Sequence, residues 1–533
     1  MKPRPRLGRG NRWRDYLGLV ALAALLTVPF PVALAAVGAL VAGRVALAAR
    51  RRMRRTRAPR DGRGTSVVLG SDSAGRSVTL SDEQLAAHAL IVGATGSGKS
   101  TTMLTILADH IAQGRPVVAL DMKGSPAFAR ELGRAAAAAG RGLRVWTPDG
   151  PSHWNPLAHG NATALKDMLI STEQFSEPHY QRAAERYLQT ALTVLHAAHP
   201  GRPAQIHEVV AMMEPRRLAS TLRDVPAPLA ARVADYLGGL TSDQESAVRG
   251  LGTRLALLSE STAGRYLAPG NGPTVDLATA LEGGDVVLLS LNSSVYGKLA
   301  AHLGALAIQD LTSSAGHRLQ AKSVPPDTVA THADLGPIPA TVAIDEFSAL
   351  GADNLLALLA RGREAGVPVL LATQELTDLE RAGRGFRDQV MGIVGVTIAH
   401  RQAVHASATM VSQIAGTEWA WQETETVRGL FARPGMSRGT RRQVEQPVVH
   451  PNEIKTLAPG EIVMITSLPS MRIDRLAVTP PFTPVRSSPA PAQSSSSAAQ
   501  PILPPGSPGQ GRLERGSTGR RPPPDQAAPG VTR

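Results

Sequence analysis

The sequence contains no cysteine, and aromatic residues make up only 3% of it. The first absence excludes disulfides, thiolate metal sites and cysteine nucleophiles, and it suits a reducing compartment. Lysine is scarce as well, with seven in 533 residues. Nor do the histidines have the company that metal binding needs. His196/His199 and His400/His405 lack acidic or cysteine neighbours and read as ordinary helix or loop residues. What remains is a chain rich in Ala, Arg, Gly and Pro, 43% hydrophobic, and too long for one ordinary domain.

The net charge of +14 is unevenly spread. Residues 1–63 carry fifteen Lys/Arg against Asp15 and Asp61, which is +13. Residues 480–533 carry six Arg against Glu514 and Asp525, which is +4. The body between them is therefore near −3, so the basicity belongs to the two ends. Any nucleic-acid contact within the body has to be local. Arg433, Arg438, Arg441 and Arg442 form one such local basic run, which reads as a phosphate-binding loop or as a solvated one.

From Tyr16 to Gly43 there is no charged residue, a run of twenty-eight. That exceeds the roughly 20 residues that cross a bilayer core as a helix. Pro29-Phe30-Pro31 divides the run, so one kinked span and a hairpin of two arms both fit. Basic residues flank both sides, and positive charge is held on the cytoplasmic face, which favours the hairpin. A cleaved signal peptide ending near Ala33-Leu34-Ala35 is the alternative.

Beyond the arginine-rich stretch, Thr65–Gly70 and Arg76–Leu80 read as short strands about a turn. Ala89–Val92 is a buried strand leading into a glycine loop, Thr101–Ile111 a helix, and Pro116–Leu120 the next strand. This alternation predicts a parallel sheet with crossover helices. Between about Ala162 and Arg265 the period turns helical, with Tyr180, Ala184, Tyr187, Ala191 and Leu195 on one face. Strand patterning returns at Val286–Leu291, Thr341–Ile344, Val367–Ala372 and Ile393–Ala399. From Pro480 the chain is Pro/Ser-rich without periodicity and reads as disordered.

Gly93-Ala94-Thr95-Gly96-Ser97-Gly98-Lys99-Ser100, followed by Thr101, matches G-x-x-x-x-G-K-[ST] between a predicted strand and a predicted helix. Glycines there let consecutive N–H groups converge on phosphates at a helix N-terminus. Lys99 would reach the β- and γ-phosphates of ATP, and the Ser100 hydroxyl would hold Mg2+. Thr341-Val-Ala-Ile344 ends in Asp345-Glu346, a strand delivering two carboxylates. Asp345 suits the metal, and Glu346 suits activation of water. Gln374, closing Leu371-Ala372-Thr373, is placed to sense the γ-phosphate. Arg363, or its neighbour Arg361, could act as a finger on the ATP of an adjacent subunit. Asp121-Met122-Lys123-Gly124 closes another strand, and Lys123 there is either a crevice residue or half of a structural ion pair.

The order of these pieces resembles the type IV secretion and conjugation coupling proteins of the TraG/TraD kind, within the HerA–FtsK-like P-loop NTPases. Asn155-Pro156-Leu157, Ile344-Asp345-Glu346-Phe347, Gly362-Arg363, Thr373-Gln374, Ile414-Ala-Gly416-Thr and the run from Asn452 to Gly460 add to it. Met122 stands where a proline is usual in that family. The resemblance implies an α/β fold: a RecA-like P-loop core, an inserted all-α domain, an N-terminal transmembrane segment and a disordered C-terminal tail. The corresponding divisions are a basic cytoplasmic N-terminus 1–15, membrane segment 16–49, linker 50–63, core 64–160, insertion 161–270, core 271–479 and tail 480–533. It implies an inner-membrane ATPase facing the cytoplasm and forming a homo-hexamer. Such an ATPase passes relaxase-bound single-stranded DNA or protein to a secretion channel. By carry-over, Gly93–Thr101 bind ATP, Ser100 and Asp345 hold Mg2+, and Lys99, Glu346, Gln374 and Arg363 serve catalysis. An FtsK-like duplex pump is the near rival, though its strand ending Ala-Thr-Gln-Arg-Pro is here Ala-Thr-Gln-Glu-Leu. A membrane docking platform without turnover is the third reading.

Overall fold

Short runs of aliphatic residues, buried on both faces, supply the centre of the molecule. Ala89–Val92 is β3, and all four of its side chains are 0% exposed. Such runs suit a parallel sheet covered by helices on both sides. In the computed structural model, residues 66–175, 177–323, 338–424 and 440–482 are described. The expected membrane segment 16–49, its basic flanks and the tail beyond 482 lie outside the described residues. Among the described residues no helix is long and apolar enough to cross a membrane.

The strands in chain order are β1 (Ser66–Ser71), β2 (Ser77–Ser81), β3, β4 (Val117–Asp121), β5 (Leu143–Trp146), β6 (His153–Trp154) and β7 (Thr274–Val275). They continue as β8 (Val286–Ser290), β9 (Thr341–Asp345), β10 (Val369–Thr373), β11 (Val396–Ala399), β12 (Thr417–Thr424), β13 (Thr440–Pro447), β14 (Glu461–Thr466) and β15 (Arg472–Val478). Eleven of them form one sheet in the order β2-β1-β15-β14-β11-β3-β10-β9-β4-β8-β5. From β11 to β5 every pairing is parallel, as the alternating pattern predicts. β14, β15, β1 and β2 extend it antiparallel, so the two ends of the described chain pair side by side at β1–β15.

β10 lies between β3 and β9, so the strand carrying Gln374 separates the glycine-loop strand from the acid strand. All three end on the same edge. Ile393, expected in a strand, is instead the last residue of the helix Phe386–Ile393. Between β6 and β7 the described residues form helices and no strand. The longest there, Pro178–Ala198, buries Ala184, Tyr187, Ala191 and Leu195 as its period predicts. Tyr180, in its first turn, is 37% exposed and does not share that burial.

Candidate active site

The glycine loop leaves β3 at Gly93 and enters the helix Lys99–Ala112. Gly98 precedes the helix at φ +109°, a conformation that side chains rarely adopt. Gly93 is required for a different reason. A Cβ there would lie 2.5 Å from His400 Cβ and 2.6 Å from Ser97 Oγ. The Lys99 ammonium is buried and turns back over the loop, donating to the carbonyls of Gly93 (2.5 Å) and Ala94 (3.3 Å). Burial lowers its pKa, with Lys123 adding to that effect and Glu346 and Asp345 opposing it.

Asp345 ends β9, and its Oδ2 accepts from Ser100 Oγ at 3.4 Å. Its Oδ1 is buried without a hydrogen-bond partner. Burial raises the Asp345 pKa, although Lys123 works to lower it. Glu346 follows with φ +61°, the left-handed region, which for a side chain of this size is strained. That turn takes the chain from the strand into the 3-10 turn Phe347–Ala349. Gln374 Oε1 accepts from Thr95 Oγ1 at 3.1 Å, which ties the end of β10 to the glycine loop. Lys99, Ser100, Asp345, Glu346 and Gln374 are thus brought to one edge of the sheet by three adjacent strands. This is the crevice at the carboxyl ends of parallel strands where α/β proteins bind ligands.

Lys123 sits there too. Its ammonium is 2.8 Å from Glu346 Oε2 and 3.9 Å from Asp345 Oδ1. Burial acts to lower its pKa, but Asp345 and Glu346 outweigh burial and raise it. Asp121, paired with Asp345 across β4 and β9, supports this residue: its carboxylate accepts from the backbone N–H of Lys123 and of Ser125.

Sequence reasoning overlooked His400. This residue follows β11, is fully buried, and reaches the glycine loop from beneath. Its Nδ1 lies 3.0 Å from the Ser97 carbonyl, which only accepts, so Nδ1 carries the proton. Bare Nε2 then accepts from Thr102 Oγ1 at 2.9 Å. Burial pushes the ring pKa down to about 4, so it stays neutral. Ala94 N–H donates to Arg401 O and Gly460 N–H to Ser97 O, both at 2.9 Å, completing the brace. A polar residue ending a buried strand beside β3 was the available signal, the same one that singled out Gln374.

Arg363 and Arg361 are not brought to this site. Both are exposed on the helix Ala352–Ala365, and Arg363 lies in its last turn, ahead of β10. Burial pushes the pKa of His88, just ahead of β3, down to about 4, and Arg363 lies close enough to add to that effect. It therefore stands at the amino edge of the sheet, opposite the glycine loop. Arg433 and Arg438 lie outside the described residues, whereas Arg441 and Arg442 begin β13. Among the described residues no group of three or more His, Asp or Glu could hold a metal ion.

Two family models match the sequence. Residues 68–194 match the central domain of helicase HerA. Residues 339–459 match the TraM recognition site of TraD and TraG. No curated protein matches it. Among solved structures, the bacterial conjugative coupling protein TrwBdeltaN70, in its unbound monoclinic form, is similar with a TM-score of 0.57 and 15% identity. That match covers 80% of this chain and 91% of TrwBdeltaN70. The plasmid coupling protein TrwB in complex with ADP and Mg2+ is similar with a TM-score of 0.55 and 16% identity, over 80% of this chain and 91% of that one. At such identities these two likenesses speak for the fold. With both family models seated on that fold, around a glycine loop and an Asp-Glu strand end, the chain is similar to the TraG/TraD-type coupling proteins and to HerA in these two regions, and it shares the mixed α/β fold of TrwB.

Proposed function

We propose that the chain hydrolyses ATP at this edge and uses the energy to move DNA, with its relaxase, or protein into a type IV secretion channel. In this reading it works as a membrane-anchored homo-hexamer with a RecA-like core and an all-α insertion. The observation that carries it is the convergence of Lys99, Ser100, Asp345, Glu346 and Gln374 on one crevice.

Gly93–Thr101 cradle the phosphates with backbone N–H groups, and Lys99 exchanges its loop carbonyls for phosphate oxygens. The unpartnered Asp345 Oδ1 and the nearby Ser100 hydroxyl fit a hard cation that takes its remaining ligands from phosphate and water. Mg2+ bound there would supply charge neutralisation on the β- and γ-phosphates. Glu346 orients a water in line with the γ-phosphorus and accepts its proton as the bond to ADP breaks. For that, Lys123 must give up its 2.8 Å contact with the carboxylate. Gln374, already on Thr95, is positioned to relay the state of the γ-phosphate to β10. Arg363 completes the site of a neighbouring subunit.

The test is ATP hydrolysis by the detergent-solubilised chain, with magnesium and with no DNA, single strands or duplex. Lys99→Ala should abolish it. Glu346→Gln should lower turnover by about 10²–10⁴-fold while ATP still binds. Stimulation by single strands supports the conjugative reading, and preference for duplex favours an FtsK-like pump. A wild-type protein that binds ATP but shows no turnover for Glu346→Gln to reduce would be a docking platform.

A further inference from the structure

Beyond the sheet edge, one surface feature has no part in the nucleotide site. β12 and β13 pair antiparallel as a two-stranded ribbon outside the main sheet. It rises directly from Gly416, the cap of the helix His405–Ala415. Trp419 is 68% and Trp421 57% exposed, although tryptophan is among the most costly side chains to leave in water. The other two tryptophans among the described residues, Trp146 and Trp154, are fully buried.

Residues two apart on a strand share a face, so Trp419 and Trp421 stand side by side. Their repeat along the strand is about 7 Å, roughly twice the 3.4 Å rise of stacked bases. The register sets Gln443 opposite Trp421 and Glu445 opposite Trp419, with Arg441 next along β13 on this same face. The Arg441 guanidinium lies over the Trp421 ring, 5.0 Å from its centroid. Arg442 is exposed beside it, on the other face of the ribbon.

We propose that this ribbon is a stacking platform for single-stranded nucleic acid: bases lie against Trp419 and Trp421 while Arg441, on the same face, meets the phosphates. Aromatic faces interleaved with arginine are the chemistry by which single strands are held without regard to sequence. A duplex hides its base faces, and the body near −3 offers no broad basic track to hold one. The inference rests on the proposed DNA-moving role and assigns that role a surface. The ribbon root leads through the helix His405–Ala415 to His400 and the glycine loop, which places the platform one helix away from the nucleotide.

The test is anisotropy of a 5′-labelled 30-residue oligothymidine with the full chain in detergent, without nucleotide. W419A/W421A should weaken binding by ten- to a hundredfold, and W419F/W421F should stay within a few fold of wild type. R441A should weaken it less and flatten the dependence of log affinity on log salt by about 0.7. Melting temperatures check folding, and size-exclusion chromatography reads assembly. Undiminished binding by W419A/W421A overturns the platform and leaves the DNA role standing. Loss of assembly rather than of DNA affinity overturns it in favour of an interface between copies. A melting temperature unchanged in W419F/W421F, together with tenfold weaker binding by that variant, overturns stacking as the mechanism. No oligothymidine binding by a wild-type protein that hydrolyses ATP overturns the platform and the DNA role together, leaving the ATPase reading intact.

Discussion

The two edges of the central sheet use buried polar groups in opposite ways. At the carboxyl edge Asp345 Oδ1 and Ser97 Oγ are buried without hydrogen-bond partners, Glu346 is held at φ +61°, and like charges crowd at Lys99 and Lys123. At the amino edge the polar groups tie elements together. His88 Nδ1 accepts from Val369 N–H at 3.0 Å, which leaves Nε2 to donate to Leu359 O at 2.8 Å. Buried Arg318 donates to the carbonyls of Ala365, Leu281 and Ile338. One edge is a joint and the other the reactive site of the proposed function. Both edges hold left-handed backbone and unsatisfied groups, since His88 also stands at φ +61° and His110 Nε2 has no hydrogen-bond partner; what sets the carboxyl edge apart is the convergence of two carboxylates and two ammoniums.

Arg363 would break this division, since it sits at the joint edge but is proposed to act at a reactive one. The two are reconciled if it reaches a neighbour. Arg363→Ala should then lower ATP turnover by about 10³–10⁵-fold without lowering the melting temperature. Arg361→Ala, on the same helix, should have a far smaller effect. Mixing Lys99→Ala and Arg363→Ala subunits is the sharper measurement, because a mixed ring regains some sites with an intact loop and an intact finger. No recovery on mixing, from variants that do co-assemble, would remove Arg363 from the mechanism.

Arg318 sharpens the other side. Replacing it with Ala removes donors from three carbonyls, two of them on buried residues. The expected loss is about 2–4 kcal/mol of stability, read as a lower melting temperature. Nucleotide affinity at the temperature where the variant is folded should be unchanged. A changed affinity would mean that the joint and the site are not separable.

Lys123 lies within the reactive edge, and its removal should act through Asp345. Burial raises that carboxyl while Lys123 lowers it, so Lys123→Met lets the pKa climb further. The acid limb of the magnesium-dependent rate should therefore shift to higher pH. An unchanged limb would show that the lysine does not set the charge of the acid.

These contrasts explain what the sequence could and could not disclose. The glycine loop and the Asp345-Glu346 strand end were legible as candidates because the phosphate and metal chemistry proposed for them fixes both residue type and spacing. The strands β3, β4, β8, β9 and β10 were legible because strands buried on both faces read as unbroken aliphatic runs. β14 and β15 escaped notice, and β15 is an antiparallel strand that buries only Leu476 and mixes Arg472, Asp474 and Arg475 with apolar residues. The exposed ribbon was equally hidden, since residues 417–422 bury little and carry no core-facing pattern. His400 was misread because its significance is a contact across 303 positions of sequence, with Ser97. Only the pairing of β11 with β3 creates that contact.

His400 yields the smallest effect, a change of slope. Its folded pKa of about 4 lies below the ordinary 6.5, so between those values the unfolded chain binds a proton that the folded one refuses. The stability it contributes is complete above pH 6.5 and is lost as pH falls toward 4. In His400→Asn this loss is absent, and the dependence of stability on pH should flatten by about 1.4 kcal/mol per unit across that window. Asparagine can still donate to the Ser97 carbonyl but cannot also reach Thr102, so nucleotide affinity should fall by about tenfold at pH 7, the equivalent of one lost hydrogen bond. Melting curves from pH 4.5 to 7, with and without ADP, read both effects. A flattened slope with unchanged ADP affinity would make His400 a joint like His88, and the brace beneath the glycine loop would belong to Arg401 and Gly460 alone.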